Sequence, residues 1–397
     1  MAADLAFELA APARIVFGAG SVREVGAIAA ALGGHALLVG GKSGGTSGRL
    51  AAAVTEPLAA AGVRWTPFSV DGEPTVETAR AGAAAARAGG CDVVIGFGGG
   101  SALDAAKAIA ALAANGGDPL DYLEVVGHGK PLVRPSLPFV AIPTTAGTGS
   151  EVTKNAVLAS PEHGVKASLR SPLMLARAAI VDPELLAGLP APVLAASGLD
   201  ALSQLIEPFL SVRANPATDA LARAAIPRSA TALPRAHAAV CAGDPIDAVD
   251  REALALASLF GGLCLANAGL GAVHGFAAPL GGMFAAPHGA VCAALLPAVL
   301  RVNARALAAR VPDSAALPRL RELAAMLTGR PGATAADAIA WVESLTRALE
   351  IPGLARYGLT ADRIADLVAK ARVASSMKGN PLPLSDDELA EIARASL

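Results

Sequence analysis

The chain is short of charge, aromatic residues and cysteine, and each shortage excludes something. Charged residues make up 17% and hydrophobic ones 53% of 397 residues, which is too apolar for a disordered chain. A net charge of −2 gives no electrostatic basis for nucleic acid as a partner. Four cysteines (Cys91, Cys241, Cys264, Cys292) without paired spacing argue against a disulfide framework or a thiolate zinc site. They fit a reducing compartment, so a cytoplasmic location is expected. The first residues include Asp4 and Glu8 and lack a basic start followed by an apolar block, unlike a signal peptide. Lysine is scarce, seven of 32 basic residues, so a lysine beside a motif stands out.

The deepest shortage lies between Glu252 and Arg301, where 48 residues pass without an acidic or basic side chain. Ala253–Val273 is long enough to span a membrane. Asn267, four glycines, the absence of flanking aromatics and a following break of proline and histidine favour a buried core helix, with no membrane partner. His274 and His288 are the conspicuous polar groups of this stretch. Buried imidazoles need partners, because an unpaired polar group costs roughly 1–3 kcal/mol. Fourteen residues apart, with Pro279, Gly281, Gly282 and Pro287 between or beside them, they fit either helix-borne ligands joined by a bend or two separate core histidines.

What is present has a clear order. At 397 residues the chain exceeds the size at which one core stops growing, so two domains are expected. Short apolar strands at Arg14–Gly18, Ala36–Val39, Asp92–Gly96, Pro138–Ile142 and Ala179–Val181, and an extended segment Val63–Val70, alternate with helical stretches. That alternation predicts a parallel sheet covered on both faces. A hairpin or long loop is expected at Val152–Leu169. From Glu184 onward the pattern is helical, so the boundary falls near residue 185: an α/β domain over 1–185 and an all-α domain over 186–397, with a site in the cleft between them.

Three segments carry chemistry. The run Asp92–Gly98 followed by Gly99-Gly100-Ser101 and Asp104 to Lys107 reads as strand, glycine turn and helix start, suited to a phosphate. Ser101 with Asp104 also fits a helix-capping pair. The segment Pro143–Thr153 follows a strand and is rich in glycine and hydroxyls (Thr144, Thr145, Thr148), as a pyrophosphate or ribose site would be. In Gly198–Glu207, Asp200 and Gln204 share one helix face. With His274 and His288, Asp200 would complete an oxygen and nitrogen site for Zn²⁺ or Fe²⁺.

Together GGGSALDAAK, PTTAGTGSEVT, SGLDALSQLIE and VHGFAAPLGGMFAAPHG resemble the iron-containing (group III) alcohol dehydrogenases, relatives of the glycerol dehydrogenases and maleylacetate reductases. The resemblance implies a Rossmann-like parallel-sheet domain followed by a helical domain, the dehydroquinate synthase-like fold. It implies a homodimer and an NAD(P)-linked alcohol dehydrogenase or aldehyde reductase acting on a small alcohol or aldehyde. By that resemblance Gly99, Gly100, Ser101 and Asp104 belong to the cofactor's phosphate site, Thr144, Thr145 and Thr148 to its adenine and ribose side, and Lys166 to the nicotinamide ribose. Asp200, His274 and His288 would be metal ligands, His274 and Lys166 serving catalysis.

Three departures from the family pattern follow. Gln204 replaces the usual second ligand, a histidine in the iron enzymes, leaving a neutral donor at the margin of the site; zinc-dependent relatives manage with three ligands. Ala278 stands where a proton-relaying histidine often lies. The turn Gly40-Gly41-Lys42-Ser43 lacks the ribose-binding acid of NAD-preferring relatives, which leans cofactor choice toward NADP. The competing readings are a metal-independent keto-acid reductase of the maleylacetate reductase type and a nucleotide-binding protein with weakened catalysis.

Overall fold

The computed structural model describes residues 6–41, 48–284 and 286–397. The strands are β1 (Ile15–Phe17), β2 (His35–Gly41), β3 (Arg64–Val70), β4 (Val93–Gly98), β5 (Phe139–Pro143), β6 (Asn155–Ser160), β7 (Val165–Arg170) and β8 (Ala178–Val181). Six of them form one parallel sheet in the order β1-β8-β5-β4-β2-β3, while β6 and β7 pair as the expected antiparallel hairpin. Helices α1 (Val25–Ala30), α2 (Gly48–Ala60), α3 (Val76–Ala88), α4 (Gly100–Asn115) and α5 (Pro119–Tyr122) accompany it. Along β4, Val93, Ile95 and Phe97 pack in a cluster with Ile28 of α1 and Val54 of α2, while Val94 packs in another with Ala105 and Ile109 of α4. Successive side chains point to opposite faces and both faces are buried, which is why the strand reads as a continuous apolar run.

The remaining helices are α6 (Ala191–Leu210), α7 (Pro216–Ala242), α8 (Ala248–Ala268), α9 (Ala272–Met283), α10 (His288–Arg310), α11 (Ala316–Thr328), α12 (Ala335–Ala348), α13 (Ile364–Arg372) and α14 (Asp386–Ala395). The chain divides into two compact units that are not uninterrupted halves. One comprises Pro12–Leu189 with Pro245–Ala255; the other comprises Pro190–Asp244 and Leu256–Leu397, joined by residues 6–11. Asn267 ties that leading segment down, its side chain exchanging two hydrogen bonds with the Ala10 backbone.

By length and composition α6 and α10 could each cross a membrane, and α8 with α9 makes a third apolar stretch bent by 97°. Of the apolar windows of α6 and α10, 83% and 72% are buried within this protein, which accounts for their composition. Every residue of α6 from Gly198 to Leu210 is buried. Helix α10 lies against it through Gly289, where a β-carbon would come 2.8 Å from the Ala196 carbonyl oxygen.

The capping pair that Ser101 and Asp104 also fit does not form. Helix α4 begins at Gly100 behind Gly99, with no side-chain cap. Asp104 is turned to other work. It accepts from Ser150 Oγ and, at 2.9 Å, from the Val157 amide, and it lies 3.3 Å from Lys107 Nζ. Lys107 is fully buried and donates to Thr153 Oγ1 at 2.8 Å and to the Asn155 carbonyl. Burial lowers its pKa, against the pull of Asp104 and Glu151. Next to this knot Glu151 is buried with neither carboxyl oxygen hydrogen-bonded among the described residues, and burial pushes it up to about 7.

Two outcomes follow. Gly289→Ala should separate α10 from α6 and cost about 1–3 kcal/mol in denaturant unfolding, despite alanine's better helix propensity; unchanged stability would show slack between the helices. Glu151 holds its proton in the fold to about pH 7, whereas the unfolded chain releases it near 4.5. The fold therefore binds the extra proton within that window and loses stability as pH rises through it. Glu151→Gln should gain on the wild type by about 3 kcal/mol between pH 4.5 and 7 and then stay level. A gap that narrows toward neutral pH would contradict the buried neutral acid.

Candidate metal centre and cofactor loop

Helix α6 carries Asp200, Gln204 and Glu207 along one buried stripe, spaced so that each follows the last by about one turn. Buried polar groups on such a helix must be answered by neighbours. Glu207 answers the start of α9, which opens at Gly271 without a side-chain cap. Its Oε1 accepts from the Val273 amide at 2.7 Å and its Oε2 meets His274 Nδ1 at 2.6 Å. The neighbouring Ala272 amide donates to Asn380 Oδ1 at 3.1 Å. The orphan N–H groups of the first turn are thus taken up. A carboxylate accepts only, so in its neutral form His274 carries its proton on Nδ1 and turns the Nε2 lone pair away.

That lone pair faces Asp200 Oδ1 at 3.3 Å, and neither atom has a hydrogen-bond partner among the described residues. Gln204 Nε2 donates to the other carboxylate oxygen of Asp200 at 3.1 Å, leaving Gln204 Oε1 without a partner. His288, the first residue of α10, brings Nε2 to 3.8 Å from Asp200 Oδ1, its ring centroid 5.4 Å from that of His274. One turn on, Cys292 Sγ lies 3.7 Å from His288 Nε2. Donor atoms of Asp200, His274, His288 and Cys292 all lie within 4.8 Å of one another.

Two buried acceptors facing each other at 3.3 Å are unfavourable unless positive charge, a proton or a metal ion, sits between them. The electrostatics agree. Burial opposes the charged forms of Asp200 and His274. For Asp200 the two histidines outweigh it and lower the pKa; for His274 Cys292, Asp200 and Glu207 outweigh it and raise the pKa well above the ordinary value. Cys292, then Asp200, likewise raise His288 against burial. The pocket favours positive charge, and its donors suit a divalent zinc or iron ion.

In the α/β unit, Gly41, Gly98 and Pro143 end the adjacent strands β2, β4 and β5. The two glycine-rich segments meet there: the Thr144 amide donates to the Gly98 carbonyl at 3.0 Å. A β-carbon on Gly100 would come 2.6 Å from Thr148 Cγ2, and one on Gly99 3.3 Å from Thr145. Close approach of the threonine loop therefore requires glycine at Gly100 and leaves little room at Gly99, and the uncapped start of α4 leaves amides for an anion. Asp104 is engaged behind this turn with Ser150, Val157 and Lys107. Lys166 sits on β7, ion-paired to Glu73. Lys42 and Ser43 lie outside the described residues. Glu207 and Cys292 were not among the residues singled out by sequence; Glu207 had a signal, its place seven residues after Asp200 on the same stripe.

Comparison with known proteins covers both units. The profile of iron-containing alcohol dehydrogenase matches residues 12–183, and the C-terminal profile of the Fe-containing alcohol dehydrogenase family matches residues 194–397. Choline dehydrogenase of Bacillus subtilis (strain 168) is 33% identical over 379 residues, 94% of this chain and 91% of that protein. NAD-dependent methanol dehydrogenase of Bacillus methanolicus is 34% identical over 389 residues, 97% of this chain and 98% of that one. The solved structure of a 1,3-propanediol oxidoreductase superposes with a TM-score of 0.89 at 33% identity, covering 99% of this chain and 100% of that chain. The chain belongs to the iron-containing alcohol dehydrogenase family.

Proposed function

We propose that this chain is a metal-dependent, NAD(P)-linked alcohol dehydrogenase, reducing a small aldehyde in the reverse direction. The observation that carries the reading is the buried, unpartnered pair of His274 Nε2 and Asp200 Oδ1, 3.3 Å apart. Asp200, His274 and His288 would hold a divalent metal there, which would supply Lewis-acid polarisation of a substrate oxygen. The nicotinamide supplies the hydride.

The chain's own residues do the positioning. Glu207 fixes the ring and tautomer of His274, and Gln204 fixes the carboxylate of Asp200. Gly99, Gly100 and Ser101 offer backbone amides to the pyrophosphate, with Thr144, Thr145 and Thr148 toward the ribose side, and Lys166 holds the nicotinamide ribose. The segment up to residue 185 thus serves the cofactor and residues 186–397 the metal and substrate. No imidazole stands at Ala278, exposed four residues beyond His274 on α9, so that position relays no proton. The charge-free run from residue 253 to 300 favours an uncharged substrate. The four cysteines are free thiols, in keeping with a cytoplasmic enzyme, and a homodimer is what the family resemblance implies.

Gly41 ends β2 without an acid that would repel a 2′-phosphate, so NADPH should serve at least as well as NADH. Gly41→Asp should then lower kcat/KM for NADPH by like-charge repulsion. A wild-type preference for NADH of a hundredfold or more, about 2.7 kcal/mol, would reverse this assignment. For the metal, His274→Ala should lose bound metal and turnover together. Full activity of the wild type after exhaustive chelation would sink the metal mechanism.

A further inference from the structure

We infer that Cys292 is a fourth protein ligand of the metal and that Gln204 stands outside the coordination shell, making an aspartate, two-histidine, cysteine site that prefers zinc to iron. The inference rests on the metal reading above and changes its donor set. Cys292 is fully buried on α10, one turn after His288 and on the same face, and its sulfur belongs to the tight group of donor atoms with Asp200, His274 and His288. The group is independently marked as a ligand site by two side chains more than nine-tenths buried, Asp200 and His274, whose Oδ1 and Nε2 atoms have no partner.

The spacing fits one small ion. Around tetrahedral zinc, bond lengths of 2.0–2.3 Å place neighbouring nitrogen and oxygen ligands about 3.3 Å apart, and nitrogen and sulfur about 3.6 Å apart. Asp200 Oδ1 and His274 Nε2 are 3.3 Å apart, and His288 Nε2 and Cys292 Sγ are 3.7 Å apart. Asp200 Oδ1 to His288 Nε2, at 3.8 Å, is looser, and all four donors stay within 4.8 Å of one another. Gln204 is oriented otherwise. Its amide nitrogen binds Asp200 Oδ2, the oxygen that does not face the histidines, and its amide oxygen lies 3.6 Å from where a β-carbon on Gly261 of α8 would sit. Gln204 is therefore a positioning residue for Asp200. A thiolate in place of a hard oxygen donor shifts preference from iron toward zinc. With four protein donors in place, a substrate oxygen would have to take a fifth position on the metal.

Cobalt(II) reports the ligand directly, because thiolate coordination gives a charge-transfer absorption in the near ultraviolet that oxygen and nitrogen ligands do not. Cys241 is exposed with its sulfur 3.8 Å from His237 Nε2, so the test uses a Cys241→Ala background to remove an adventitious thiol. Apoprotein loaded with one equivalent of Co²⁺ should show the band, and further Cys292→Ser or Cys292→Ala should abolish it. X-ray absorption on the zinc-loaded parent protein, which needs no Cys292 variant, should find one sulfur scatterer at about 2.3 Å. One equivalent of bound cobalt without the band, or a zinc shell without sulfur, overturns the inference while leaving the metal reading intact. Failure to take up any metal overturns both.

Discussion

The carboxylate of Glu207 is the contact on which the metal centre depends. Because α6 is buried along its length from Gly198 to Leu210, its polar stripe cannot turn to water. One oxygen of Glu207 closes the uncapped start of α9 and the other fixes His274. A single buried acid thereby settles where α9 begins, how the imidazole is rotated and which nitrogen is free. The free nitrogen then confronts Asp200, itself steadied by Gln204, and the pair is stable only with positive charge between. Stability and chemistry meet at this point: breaking one partner of such a group typically costs several kcal/mol and frees the ring that holds the metal.

The α/β unit follows a parallel logic with different materials. There the binding edge is made of bare backbone, and the polar side chains sit behind it. Lys107, Asp104 and Ser150 tie α4 to the segment that carries the threonines, so the turn at Gly99 and Gly100 stays free of side-chain caps. Glu151 is buried beside them without hydrogen bonds of its own, a cost that a folded chain carries only if the rest of the knot is well satisfied.

Much of this was legible in the sequence. Strands buried on both faces read as apolar runs, and β2, β4, β5 and β8 fall within two residues of the stretches expected. Asp200, His274 and His288 were visible as rare polar residues in apolar surroundings and are brought together. The strand, glycine turn and start of α4 were read correctly; only the capping alternative for Ser101 and Asp104 fails, because tertiary partners for Asp104 outbid that local preference. Cys292 was passed over because a lone cysteine has no pattern until α10 is set against α6. The return of residues 245–255 to the α/β unit was likewise hidden, since α8 is continuous helix across the division.

The most direct measurement is anomalous diffraction at the zinc absorption edge from crystals of metal-loaded protein. One peak among Asp200 Oδ1, His274 Nε2 and His288 Nε2, with Glu207 still bonded to His274 Nδ1, is the expected result. A metal bound elsewhere, or density in which His274 Nε2 instead donates a hydrogen bond to Asp200 with no ion between them, would contradict the assignment of this buried cluster as the catalytic metal centre.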